Sequence, residues 1–177
     1  MQTFVLSTKK ILSVTSLVAG MMLFGTSTSW AQQQGGNLKQ QIVGTWSLVS
    51  QSVDQGGGRK TERFGSKPRG MAIYDRNGRY VVSILHSTLP KIASNNAMTG
   101  TADENKAIVQ GSITYFGTYT VNDKDGTMVG HVDASSYPNW DGLDQKRNLS
   151  ISGDEMKIVL QNAAICGTAT TVWKRLK

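Results

Sequence analysis

The feature that most constrains this chain is a rhythm of short, alternating apolar–polar runs punctuated by tight-turn signals. Asp75-Arg76-Asn77-Gly78, Asp123-Lys124-Asp125-Gly126 and Ser152-Gly153-Asp154-Glu155 each separate two such runs. Asn77-Gly78 supplies the positive-φ positions that a two-residue hairpin requires. Gln55-Gly56-Gly57-Gly58-Arg59 and Asp141-Gly142 interrupt the pattern in the same way. Between these breaks the spacing predicts strands over 42–49, 67–74, 79–86, 112–121, 127–135, 145–151, 156–161 and 168–175. About eight antiparallel strands joined by short turns leave two unpaired edges unless the sheet closes, and eight is the size that closes around side chains or one small ligand. The fold class is therefore all-β, a closed up-and-down antiparallel barrel of about eight strands. An open sandwich is the alternative.

One helix interrupts the hairpins. Thr101 and Glu104 stand at capping-box spacing, and Gly111 sits where a C-terminal glycine belongs. With the aperiodic stretch 87–100 before it, this short helix is the segment expected to act as a lid. A single helical turn is expected over 38–43.

The first residues read as a targeting segment rather than as part of the barrel. Lys9 and Lys10 precede an apolar run from Ile11 to Phe24, and Ser29-Trp30-Ala31 offers small residues where a signal peptidase cuts. The reading is a secretory signal over 1–31, a flexible Gln/Gly-rich leader over 32–37 and one domain over 38–177, periplasmic or secreted in a bacterium. The apolar run is too short to span a bilayer with ease, so no membrane span is expected. The net charge of +7 includes two leader lysines, and the remaining basic residues are scattered, which excludes a nucleic-acid patch. The terminal Lys174-Arg175-Leu176-Lys177 reads as a solvated tail. A single cysteine, Cys166, rules out an intramolecular disulfide, so stability must come from apolar burial.

Gly44-Thr45-Trp46 on the first strand, with Arg175 near the end of the last, resembles the lipocalin signature. A wider pattern accompanies it: Pro68-Arg69-Gly70-Met71-Ala72-Ile73-Tyr74 with Gly78, Tyr115-Phe116-Gly117-Thr118-Tyr119, and Gly126 leading to His131-Val132-Asp133. Tyr137-Pro138-Asn139-Trp140, Gln145, Arg147 and Val172-Trp173-Lys174-Arg175 complete it. Together these are similar to the bacterial lipocalin-like domain family over nearly the whole chain after the leader. The resemblance implies a lipocalin-type barrel, with Trp46 at the floor covered by Arg175, and ligand binding in its cavity. Asp133 stands where the family has a longer Glu, and Ala134 where Gly is usual, which puts the shape of the pocket in question.

Strand phase selects the candidate ligand-binding residues. Arg147 alternates with Leu149 and Ile151, so it shares their inward face; Tyr115 and Tyr119 share one with Ile113, Gly117 and Val121. A buried guanidinium needs a carboxylate, water or an anionic ligand. Arg147 is thus either the anchor of a carboxylate-headed or phenolic amphipath, or a side chain that snorkels to the rim or clamps Asp133 or Asp144. On the strand 127–135, periodicity places Met128, Gly130, Val132 and Ala134 inward, while the resemblance points His131 and Asp133 at the cavity. We expect His131 to face the cavity, either with Asp133 setting its tautomer for acid–base work or as a hydrogen-bonded structural side chain. Trp140 either caps the mouth or packs over the strand ends.

Two histidines and one cysteine do not make a metal site, and no P-loop, dinucleotide fingerprint or G-x-S-x-G is present, so neither metal nor cofactor is expected. Three functions remain open: a binding barrel for a small hydrophobic or amphipathic, anionic molecule; a cyclase- or isomerase-type enzyme using His131, Asp133 and Arg147; and a structural envelope module with a filled barrel. Whether the chain is an enzyme, and its oligomeric state, are left undecided by the sequence.

Overall fold

The first and last strands of the domain pair with each other. In the computed structural model, which describes residues 37–161, 163 and 167–177, β1 (Gly44–Asp54) runs antiparallel to β9 (Thr168–Arg175) from Trp46↔Arg175 to Asp54↔Thr168. This pairing closes the sheet formed by β1, β3 (Arg69–Tyr74), β4 (Arg79–Leu85), β5 (Ser112–Asn122), β6 (Thr127–Ser135), β7 (Asp144–Ser152), β8 (Glu155–Leu160) and β9. The result is a closed up-and-down antiparallel barrel, with β2 (Lys60–Thr61) added as a short flap on the end of β1. The Gln55–Arg59 glycines, which the sequence marked as a break, form the turn of that flap. The expected signal segment and Cys166 lie outside the described residues, and among the described helices none is long and apolar enough to cross a membrane.

The turns form where the sequence places them. Gly78, Gly126 and Gly153 all adopt positive φ at the hairpin tips, a conformation that costs a Cβ-bearing residue about 1–2 kcal/mol. The helix α2 (Ala102–Gln110) is opened by a complete capping box: the Thr101 side chain accepts from the Glu104 amide, and the Glu104 carboxylate accepts from the Thr101 amide at 2.8 Å. Its residues are not buried, so its stability rests on that box and its ties to the strands rather than on packing.

The two ends of the barrel differ. At the floor, α1 (Leu38–Gln41) leads into Ile42, whose carbonyl accepts from the Trp46 indole at 2.8 Å. The Arg175 guanidinium lies 4.1 Å from the Trp46 ring centre and donates to the carbonyls of Val43, at 2.9 Å, and of Gln41. Arg175 is therefore a floor plug, not part of a solvated tail. The other end is the mouth, bordered by Arg63 and Phe64, which hydrogen-bond to Gln110 and Ser87 of the β4–α2–β5 connection, and by a 3₁₀ turn at Pro138–Trp140. Trp46, Tyr74, Tyr80, Val82, Ile113, Met128, Leu149, Met156 and Trp173 belong to one core filling the barrel between the ends.

Candidate functional site

The lumen towards the mouth is lined by Gln51, Phe64, Tyr74, Tyr115, Trp140, Arg147 and Trp173, among others. Its cavity measures about 70 Å³. The enclosed part is narrow because five rings crowd it. Tyr74 stacks on Tyr80 at 5.9 Å, and Tyr115 meets Trp140 edge-on at 5.4 Å and Tyr80 at 5.9 Å. Tyr119 meets Tyr74 edge-on at 5.2 Å.

Arg147 projects into this aromatic cluster from β7 and is 3% exposed. Its guanidinium lies 5.4 Å from the Tyr115 ring centre and 5.9 Å from that of Tyr80, and it donates to the Gln145 side-chain oxygen. Among the described residues no carboxylate pairs with it. The carboxylates considered as its clamp are engaged on the outer surface: Asp133 with Arg79 at 3.3 Å, Asp144 with His131 at 2.7 Å. Burial works against the Arg147 charge and the phenols of Tyr115, Tyr74 and Tyr80 favour it, the balance lying above the ordinary guanidinium value. Arg147 is thus a buried cation with π-faces and one amide for company.

Three buried polar atoms around the lumen lack a hydrogen-bond partner among the described residues: Gln51 Oε1, Trp173 Nε1 and the Tyr80 hydroxyl. The last lies beside the Arg147 guanidinium without good hydrogen-bond geometry. Desolvation raises the Tyr74, Tyr80 and Tyr119 phenols, so all three are neutral at physiological pH.

Of the sequence candidates, Tyr115, Trp140 and Arg147 converge on the lumen. Tyr119 also faces inward, but its hydroxyl is committed to the Asp75 carbonyl at 2.7 Å, tying β5 to the β3–β4 hairpin. His131 and Asp133 correct the expectation: both lie on the outer, exposed face of β6, and Met128, Gly130 and Val132 take the inner one. The reason is steric. Gly130 packs where a Cβ would come within 2.8 Å of an Arg147 nitrogen, and Val132 is fully buried, so only that phase lets Arg147 occupy the lumen. Trp140 sits at the mouth, its ring between those of Tyr115 and Tyr137.

Strand phase also shows what was missed. Gln145 stands two residues from Arg147 and so shares its face. Tyr74 and Tyr80 alternate with Ala72 and Val82 on the inner faces of β3 and β4. Gln51 and Val53 escaped because the first strand was expected to end at Val49. A β-bulge between Leu48 and Ser50 shifts the inward phase from Trp46 and Leu48 to Gln51 and Val53. Such a shift breaks period two and mimics a strand end. The mouth is closed not by α2 but by Phe64, 2% exposed, and Arg63, which stacks on it at 4.9 Å and donates to the Gln110 carbonyl at 2.9 Å.

The chain is 28% identical over 81 residues to the 4'-hydroxy-3'-methoxypropiophenone carrier protein ppsC of Aspergillus oryzae (strain ATCC 42149 / RIB 40), covering 42% of this chain and 73% of the relative. A solved structure described as the REP1-NXSQ fatty acid transporter superposes with a TM-score of 0.37 at 13% identity, over 78% of this chain and 98% of that one. The lipocalin-like domain family matches residues 43–176, the whole closed barrel from its floor to the last strand, and this chain belongs to that family.

Proposed function

We propose that the protein binds and carries a small hydrophobic or amphipathic anionic molecule in the barrel lumen. One observation carries this reading: Arg147 is buried among aromatic rings with no counter-ion among the described residues. An uncompensated buried guanidinium costs several kcal/mol, and a Leu or Met there would pack at no such cost. A carboxylate or phenolate on Arg147 would meet that cost through a charge-assisted, bidentate contact. The relative named as an aromatic ketone carrier lends support by likeness.

The acid–base reading loses its residues, since His131 and Asp133 lie outside the lumen. A filled, structural barrel is the second reading, and the small enclosed volume favours it, being well below the ~300 Å³ of a drug-sized pocket. Tryptophan fluorescence titration with a panel of fatty and aromatic acids separates the two. Saturable quenching that disappears in Arg147→Met is expected; no saturable response across the panel overturns the carrier reading.

We propose further that the protein works after export, as a chain beginning at Gln32. Lys9-Lys10, the apolar run and Ser29-Trp30-Ala31 support this. Intact mass of the protein recovered from a bacterial periplasm or culture medium is the test, and retention of residues 1–31 overturns it.

A further inference from the structure

The polar groups around the lumen divide between two walls, and three of their atoms have no hydrogen-bond partner among the described residues. On the wall running from β4 to β7 stand the Arg147 guanidinium, which donates to Gln145 and has no carboxylate, and beside it the partnerless Tyr80 hydroxyl, both able to donate. On the wall made by β1 and β9 stand Gln51 Oε1, an acceptor, and Trp173 Nε1, a donor. Gln51 is 7% exposed and Trp173 2%. Gln51 pairs with Thr171 across the β1–β9 ladder, so Trp173, two residues on, is its diagonal neighbour on the same face. Diagonal neighbours lie about 7–8 Å apart, within reach of two long side chains converging on a third group.

The two walls ask for different chemistry. Adjacent donors on an arginine and a phenol suit a carboxylate. A lone acceptor beside a lone donor suits a hydroxyl, which donates one hydrogen bond and accepts another at the same atom. Between the walls, Tyr74, Tyr115 and Trp140 present rings to a narrow gap, which favours a flat aromatic body over a flexible chain.

We infer that the ligand is a small aromatic acid carrying a hydroxyl at the end remote from its carboxylate, with Arg147 and Tyr80 on the carboxylate and Gln51 and Trp173 on the hydroxyl. This rests on the carrier reading above and narrows its ligand class. A site built to hydrogen-bond a hydroxyl rejects an analogue lacking it, because its own buried polar groups are then left unpaired.

The experiment is calorimetric titration of the full barrel with 4-hydroxybenzoate, benzoate and octanoate. The wild type is expected to bind 4-hydroxybenzoate at least about tenfold more tightly than benzoate. In Gln51→Leu and, separately, Trp173→Phe, that preference is expected to fall below about twofold while benzoate affinity holds, since each variant removes one partner of the hydroxyl. Arg147→Met is expected to weaken both acids alike. Equal binding of the two acids by the wild type, as when ordered water fills the Gln51–Trp173 site, overturns the hydroxyl subsite yet leaves the carrier reading standing. The same holds for a preference that survives in both variants, and for tighter binding of octanoate. Failure of all three ligands to bind overturns both.

Discussion

Arg147 and Tyr115 sit on different strands of one wall, and the guanidinium of the first lies 5.4 Å from the ring centre of the second with no carboxylate paired to it among the described residues. The pair gives the lumen a positive pole without a counter-ion. Catalytic and binding sites often hold groups that the fold itself does not favour, and stability is traded for them.

That trade is measurable in the unliganded protein. Replacing a buried, imperfectly paired charge by an apolar side chain of similar length is neutral or stabilising by about 1–4 kcal/mol. Arg147→Met is expected to raise the urea midpoint of the ligand-free barrel at unchanged m-value, even as it removes anion binding. A loss of more than about 1 kcal/mol would mean that Gln145 and the rings hold the cation adequately, and the case for a bound anion would fall with it.

The architecture was legible because its signals are local and repeated. Turn glycines, the capping box of α2 and the Trp46–Arg175 pair each depend on few residues, and each formed where expected. On the strands the site was legible where period two ran unbroken: Arg147 and Tyr115 face inward as their apolar neighbours require, and Trp140 was legible from its place after Pro138. It was not legible at Gln51, beyond the bulge in β1, nor at Phe64, whose burial comes from a segment with no period at all. On β6 the periodicity of Met128, Gly130 and Val132 proved a better guide to direction than the family pattern around His131. A strand's facing is set by which side chains fill the space opposite, and a motif carries no information on that.

β6 carries a second bulge, and Gly117 is its consequence. The β5–β6 register slips between Phe116 and Gly117, so that Asp133 has no partner opposite it and the β6 backbone folds in over Gly117. A Cβ there would run into the His131 carbonyl oxygen and come within 2.9 Å of the Asp133 amide nitrogen, both backbone atoms that cannot rotate away. Gly117→Ala is expected to cost at least about 2 kcal/mol in denaturant unfolding. Gly130→Ala makes the contrasting case, since its Cβ would meet the ends of Arg147 and Tyr80 instead. It is expected to disturb the lumen at smaller cost in stability. Equal costs would show that backbone packing at the bulge is not what requires glycine.

The capping box of α2 sets a pH dependence confined to one segment. Glu104 accepts from the Ala93 amide at 2.9 Å and the Thr101 amide at 2.8 Å, and these bonds hold its carboxyl below the ordinary range. A depressed folded-state value stabilises the segment above the unfolded carboxylate range, and that contribution is lost as pH falls through the folded value. The protection factors of the Ala93 and Thr101 amides, measured against the intrinsic rate at each pH, are therefore expected to fall on acidification, while strands β5 to β8 stay protected. In Glu104→Gln that loss of protection with pH should vanish. Acid sensitivity retained by the variant would assign it to another group.

The closure at the mouth offers a last test, independent of any ligand. Arg63 donates from Nε to the Gln110 carbonyl at 2.9 Å, and the Phe64 carbonyl accepts from the Ser87 amide at 3.2 Å. Both bonds hold the segment 62–68 over the lumen, one to the end of α2 and one to the end of β4. The His86 amide next door donates instead to the Gly111 carbonyl at 2.7 Å, a bond between β4 and the start of β5 that does not involve the segment. If Arg63 is what keeps Phe64 seated, Arg63→Ala should free the segment, and local opening exposes an amide in proportion to its opening constant. Exchange at Ser87 is expected to quicken about tenfold or more, the equivalent of one hydrogen bond of ~1.4 kcal/mol, with His86 unchanged. If both amides quickened together, Arg63 would be supporting the whole end of the barrel. If neither did, Phe64 would hold the segment by its own burial, and the arginine beside it would be a surface contact of little consequence.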